Sequence, residues 1–328
     1  MGLHSAIYQE HLLYDMRKIS IRELFFLKFL PFNLYSYTEG LFKVNVTSGT
    51  AVTMDLLRLF LVSETWFFYI QKKDYDEHKL IQRRQLRDLS RSLSVGHPSQ
   101  KAIAITNLLG LNLNYFYQDT TDDELLQLIF QVVKNMAQFF GQNQDYLSSA
   151  YRELLTGKHH YKISQPILSA LLLLGFLIGQ RVFTAKEIEN LFLTAILKDV
   201  GMGLIPEEKF YKKNLNKEEI ELLSAHAEHS EKILEGRIPL TPEYLQIISR
   251  HHQMGNSSLE KVENSAQLCG VETLLITITD IVCAITTDRP YRKKEGIFPA
   301  LEKIRPLMGK EYSQEFKFLV QYCRNFFN

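Results

Sequence analysis

Apolar positions recur along this chain with two periods, and the change of period divides it. Within Leu41-Phe-Lys-Val-Asn-Val46 hydrophobic and polar residues alternate, as in a strand with one buried face. Asn33–Thr38 reads as its partner strand across the turn residues Glu39 and Gly40. Ser48-Gly49 marks another turn, Thr53 is placed to cap a helix running to about Val62, and Trp66–Ile70 reads as a short aromatic strand. The charged segment that follows turns helical through Arg91, and the first twenty residues read as a helical lead-in carrying Ile7, Leu12, Leu13 and Met16. Residues 20–76 thus predict a small α/β module.

Ser94-Val-Gly-His-Pro-Ser99 is rich in turn formers and breaks the pattern. Helical segments follow at Gln100–Leu111 and Asp122–Phe140, the second opened by the cap and first-turn acids of Thr120-Thr-Asp-Asp. Beyond about residue 145 the apolar spacing is helical throughout, with short loops. The expected fold class is therefore mostly α. An all-helical C-terminal bundle over 146–328 follows a helical connector over 96–145 and a small N-terminal α/β domain over 1–95. The N-terminal part carries no catalytic constellation and is expected to be regulatory. Its aromatic strand Trp66–Tyr69 reads as core.

Composition narrows the function classes. The chain has 328 residues, 45% hydrophobic and 23% charged, with a formal net charge of +1, which gives no footprint for a nucleic-acid polymer. Cys269, Cys283 and Cys323 show no paired spacing and suit a reducing compartment. The N-terminus lacks a basic start followed by an apolar core, and the longest apolar stretch, Ile167–Gly179, falls short of a bilayer span. A cytoplasmic protein without a membrane partner is expected.

The chemistry-bearing residues lie in the second half. Asp280 sits among Leu274, Leu275, Ile278, Ile281, Val282 and Ile285 at helical spacing, close to the apolar side. A carboxylate there costs several kcal/mol unless a cation or metal compensates it. His251-His252 is an adjacent pair whose side chains diverge by about 100° on a helix, so both serve one site only if that site is wide. His226 and His229 share a helix face, His159-His160 forms a third cluster, and Asp199 ends an apolar helix before the turn Val200-Gly-Met-Gly-Leu204. Any one of these is explained as readily by packing or solvation. Together they favour a metal centre, and imidazole with carboxylate but no cysteine suits iron, manganese or zinc.

The order of these blocks resembles the HD-GYP family. Asp199-Val-Gly-Met-Gly-Leu-Ile-Pro206 is similar to that family's His-Asp-Ile-Gly-Lys-Ile-Gly-Ile-Pro. His226-Ala-Glu-His-Ser-Glu-Lys-Ile-Leu234 resembles its His-x-x-x-Gly-x-x-Ile-Leu, and His251-His252 its His-His-Glu. The most specific match is Asp280-Ile-Val-Cys-Ala-Ile-Thr-Thr-Asp-Arg-Pro-Tyr-Arg292. The resemblance covers about residues 150–328 and implies an HD-domain bundle of five core helices plus extra helices. It also implies two divalent ions, iron before manganese or zinc, and hydrolysis of cyclic di-GMP, a related cyclic dinucleotide or another small phosphoester. Carried over residue by residue, the implied metal ligands are His159, Asp199, His226, His251, His252 and Asp280. Asp199 and Lys198 are the candidate catalytic positions, and Arg289 and Arg292 the candidate phosphate contacts, although capping or surface roles suit the two arginines equally well.

The chain departs from the pattern at functional positions and resembles the unconventional HD-GYP proteins that lack the tyrosine of Gly-Tyr-Pro. Lys198 stands where the family has the first histidine of its HD pair, and a protonated lysine offers a metal no lone pair. Met202 replaces a lysine, Ser230 replaces a glycine, and Leu259-Glu-Lys261 fall at the Gly-Tyr-Pro positions. Two functions remain open on these residues: a metal-dependent phosphodiesterase, or a weakly active or inactive metal-loaded module that binds a nucleotide or a partner signalling protein.

Overall fold

The computed structural model describes residues 15–156, 160–212, 214–252, 259–289 and 292–327. The chain divides into two compact units, Met1–Gln85 and Leu86–Asn328.

The smaller unit is an antiparallel sheet with one complete helix. Its strands are β1 (Met16–Ser20), β2 (Leu34–Thr38), β3 (Leu41–Val46) and β4 (Phe67–Gln71), in the order β1-β4-β2-β3. The hairpin β2–β3 turns at Glu39 and Gly40, both at positive φ. α1 (Met54–Val62) starts where the Thr53 hydroxyl accepts from the Leu56 amide and packs Phe60 edge-on against Phe68 of β4. Phe68 and Ile70 are fully buried. The aromatic strand expected at Trp66–Ile70 is thus found at Phe67–Gln71, and Phe68 and Ile70 carry part of the core as expected.

Met16–Ser20 corrects the expected helical lead-in. It is a strand paired with β4, Ile19 opposite Phe68. The partner lies about fifty residues away in sequence, so no local periodicity announces it. Residues 1–14 lie outside the described residues.

α2 (Lys72–Arg91) carries the chain from the smaller unit into the larger one. The larger unit is helical: α3 (Pro98–Gln118), α4 (Asp123–Gln142), α5 (Asp145–Thr156), α6 (Tyr161–Gln180), α7 (Ala185–Leu197), α8 (Lys217–Ser224), α9 (His226–Leu234), α10 (Pro242–Arg250), α11 (Leu259–Thr286), α12 (Ile297–Met308) and α13 (Ser313–Phe327). Residues 96–145, expected as a connector, form α3 and α4 and fall inside this unit, α3 packing on α5 and α6 and α4 on α7.

α6 is the central helix and is packed by α3, α5, α7, α11 and α13. Every residue from Pro166 to Leu177 is buried. The helix has 20 residues, more than the apolar stretch Ile167–Gly179 inside it, and by length and composition alone could cross a bilayer. Its burial among other helices, rather than its length, makes it a core element, since each buried Leu or Ile contributes about 1.5–3 kcal/mol. α11 packs along it and bends at Gly270, where φ is 76°.

Candidate metal centre and cleft

Helix ends converge on one buried point. α7 ends at Lys198, and Asp199 follows as the first residue of a turn that passes through the short 3-10 segment Val200–Leu204. His226 opens α9, His251 closes α10, and His252 comes next. Asp280 comes from α11. Lys198, Asp199, His226, His251 and Asp280 are all buried, and Lys198 wholly so.

The close approach of the Asp199 turn to α9 depends on Gly201. A side chain there would run into the His226 carbonyl and come within 2.7 Å of the Ser230 amide. The Gly201 amide donates to the Ser230 hydroxyl at 2.8 Å, and that hydroxyl donates to the His226 carbonyl at 2.8 Å. Serine at the family's glycine position thus ties the Asp199 turn to the helix that carries His226. Gly201→Ala should force these backbones apart, costing about 1–3 kcal/mol or more. A lowered midpoint in urea unfolding, with weaker manganese retention in the folded protein, is the expected result.

The orientation of the histidines shows what the cluster is built for. His226 Nδ1 meets the Leu223 carbonyl, and His251 Nδ1 lies 2.6 Å from the Ile248 carbonyl. A carbonyl only accepts, so each Nδ1 carries a proton, and the neutral form of each ring then has its lone pair on Nε2. Those Nε2 atoms lie 3.2 and 3.3 Å from Asp199 Oδ1. His252 Nε2 is 3.1 Å from His226 Nε2. Burial, above all, holds His251 and His252 below the usual histidine range, which keeps both rings neutral. In that tautomer the Nε2 lone pairs of His226 and His251 point toward Asp199 Oδ1, a concentration of acceptors that a cation among them would satisfy. Ligand atoms of Asp199, His226, His251 and His252 all lie within 4.8 Å of one another. Small shifts bring all four within the metal–ligand distances of about 2.0–2.3 Å. The donor set fits a divalent metal ion.

Asp280 and Lys198 stand beside this group and belong to a different arrangement. Lys198 Nζ is paired with Asp199 Oδ2 and lies 2.7 Å from Asp280 Oδ1. The other Asp280 oxygen accepts from Gln165 Nε2 of α6 at 2.8 Å. Burial alone pushes the lysine's pKa down, but the two carboxylates outweigh it and the ammonium is held above its ordinary value. Burial likewise pushes the Asp199 carboxyl up, but Lys198 together with His226 and His251 outweighs it, so the group lies well below the carboxylate range. Of the six ligands the sequence suggests, four converge, Asp280 is drawn to Lys198, and His159 lies outside the described residues.

A cleft of about 360 Å³ opens over the group, lined among others by Asp199, His252, Asp280, Met202, Lys162 and Arg289. The Arg289 guanidinium lies 4.1 Å above the Tyr161 ring, and the Lys162 ammonium 4.8 Å from the Phe210 ring. Arg289 thus lines the cleft. Arg292 does not: its guanidinium donates to the Ala284 and Ile285 carbonyls at 2.5 and 3.2 Å, capping α11. His229 sits against the Gly201 turn and takes no part in the cluster. Gln165 and Lys162 were missed in the sequence. Each is a polar residue on the N-terminal turns of an otherwise apolar helix, which is the signal that marks them.

No family model matches the chain. Among solved structures it is similar to Bd1817, a HDG"Y"P protein from Bdellovibrio bacteriovorus, with a TM-score of 0.67 over 94% of this chain and 100% of that one, at 14% identity. The fold is that of an HD-GYP protein. A cyclic di-GMP phosphodiesterase of Thermotoga maritima is 24% identical over 229 residues, which is 65% of this chain and 59% of that relative's length. The HD-GYP resemblance read from the motifs is therefore matched by a sequence relative and a structural neighbour. The His/Asp cluster lies where the HD-GYP motifs fall in the sequence.

Proposed function

We propose that the chain is a metal-dependent phosphohydrolase that opens a cyclic dinucleotide, with cyclic di-GMP first in line, or cleaves another small phosphodiester. The observation that carries this reading is the convergence of Asp199 Oδ1 with the Nε2 atoms of His226, His251 and His252 beneath a cleft that Lys162 and Arg289 also line. A divalent ion held there, iron before manganese or zinc, supplies a Lewis acid and an activated water for phosphoester hydrolysis. Asp199 and the three imidazoles bind it. The Leu223 and Ile248 carbonyls fix two of the rings in the ligating tautomer. Arg289 and Lys162 hold phosphate oxygens in the cleft, the arginine by a bidentate pair. By its place in the chain, the small N-terminal unit is the regulatory part.

A second reading keeps the metal and the nucleotide but not turnover. Met202 lines the cleft at the position where HD-GYP proteins carry a lysine, so one cation near the phosphate is missing. Incubating the manganese- or iron(II)-loaded protein with cyclic di-GMP under reducing conditions, and separating the products by chromatography, tests both. Linear dinucleotide that disappears on adding chelator is the expected result. Calorimetric binding without product would favour the second reading, and neither binding nor cleavage of any diester tried would overturn both.

A further inference from the structure

The buried triad Asp199–Lys198–Asp280 has a physical consequence for the number of ions. We propose that Lys198 is a resident cation standing in for a second metal, so that this centre takes a single divalent ion at Asp199, His226, His251 and His252. The inference rests on the metal-dependent reading above and deepens it.

Position supports it first. The ammonium touches one oxygen of each carboxylate, Asp199 Oδ2 and Asp280 Oδ1. A metal bridging those two oxygens would need to lie about 2.0–2.3 Å from each, which is the space the nitrogen fills. The two faces of the Asp199 carboxylate are thereby divided: Oδ2 serves the lysine and Oδ1 faces the histidines.

The supply of ligands points the same way. Asp280 has both oxygens engaged, by Lys198 and by Gln165, and the side chain at 198 cannot ligate while protonated.

The test is a metal count on the full chain. Protein loaded with manganese(II) and freed of excess metal should hold one manganese per chain by elemental analysis, with the resolved hyperfine pattern of an isolated ion by electron paramagnetic resonance. Lys198→His restores a neutral donor and removes the fixed charge, and should raise the count to two with an exchange-coupled spectrum. Two manganese in the parent protein would overturn the inference and leave the metal reading standing. None in the parent overturns the metal reading itself. A folded Lys198→His protein that still holds one ion would sink the claim that the lysine excludes the second. If that variant does not fold, anomalous scattering from crystals of the manganese-loaded parent decides. A peak among the histidines alone supports the inference, and a peak between Asp199 and Asp280 overturns it.

Discussion

Lys198→Met, studied in chelator, is expected to lose about 3–5 kcal/mol of stability, the usual cost of leaving buried charge without its partner. Lys198 is wholly buried and pairs with two carboxylates that are themselves buried. Methionine keeps an unbranched side chain one atom shorter but leaves Asp199 and Asp280 with no ammonium between them. At about 2–4 °C per kcal/mol for a unit of this size, thermal unfolding should come roughly 6–20 °C earlier. Manganese should reverse much of the loss, because an ion that binds only the folded form stabilises it by mass action. Equal midpoints for parent and variant in chelator would show that the ammonium is not holding these carboxylates.

The second large effect is expected at Asp199. Asp199→Ala removes the carboxylate toward which the histidine nitrogens converge and leaves three imidazoles with no carboxylate among them. Loss of a partner outside the ligand shell typically costs about 10–100-fold in metal affinity, so loss of the carboxylate itself should cost more than about 100-fold. Equilibrium dialysis against manganese measures this directly, and kcat/KM toward a phosphodiester should fall with it. The variant also frees Lys198 to pair with Asp280 alone, so part of the protein's stability should survive. Circular dichroism separates a folded, metal-free protein from an unfolded one. Undiminished manganese binding in the folded variant would remove Asp199 from the site.

Arg289 and Arg292 illustrate how far residue type alone reaches. Both belong to the most specific motif in the sequence, and both are guanidinium groups suited to phosphate. Only Arg289 lines the cleft. Arg292 is spent on the exposed carbonyls at the end of α11, a helix terminus whose acceptors need donors wherever they fall. Three residues of spacing cannot distinguish these roles, because Arg289 and Arg292 pair with each other in a short antiparallel bridge. Met16–Ser20 is the parallel case in the smaller unit, where a strand exists because a distant strand pairs with it.

Local periodicity was enough to predict the mostly helical larger unit, the β2–β3 hairpin with its turn, the α1 cap and the helical course of Asp280. These follow from short-range rules: side chains three and four apart share a helix face, and alternate residues share a strand face. The motifs likewise pointed to a group of six, His159, Asp199, His226, His251, His252 and Asp280, of which Asp199, His226, His251 and His252 converge. What the sequence could not supply was the direction of the lone pairs and the partner of each charge. His226 and His251 present Nε2 because backbone carbonyls of their own preceding turns take Nδ1. Lys198 became a cation between two carboxylates because α7 and α11 bring Asp199 and Asp280 to opposite sides of it. The histidine that lysine replaces reads in the sequence as a lost ligand. In the folded protein the same substitution is a gained charge, since electrostatic strength in a buried site depends on distances that only packing sets.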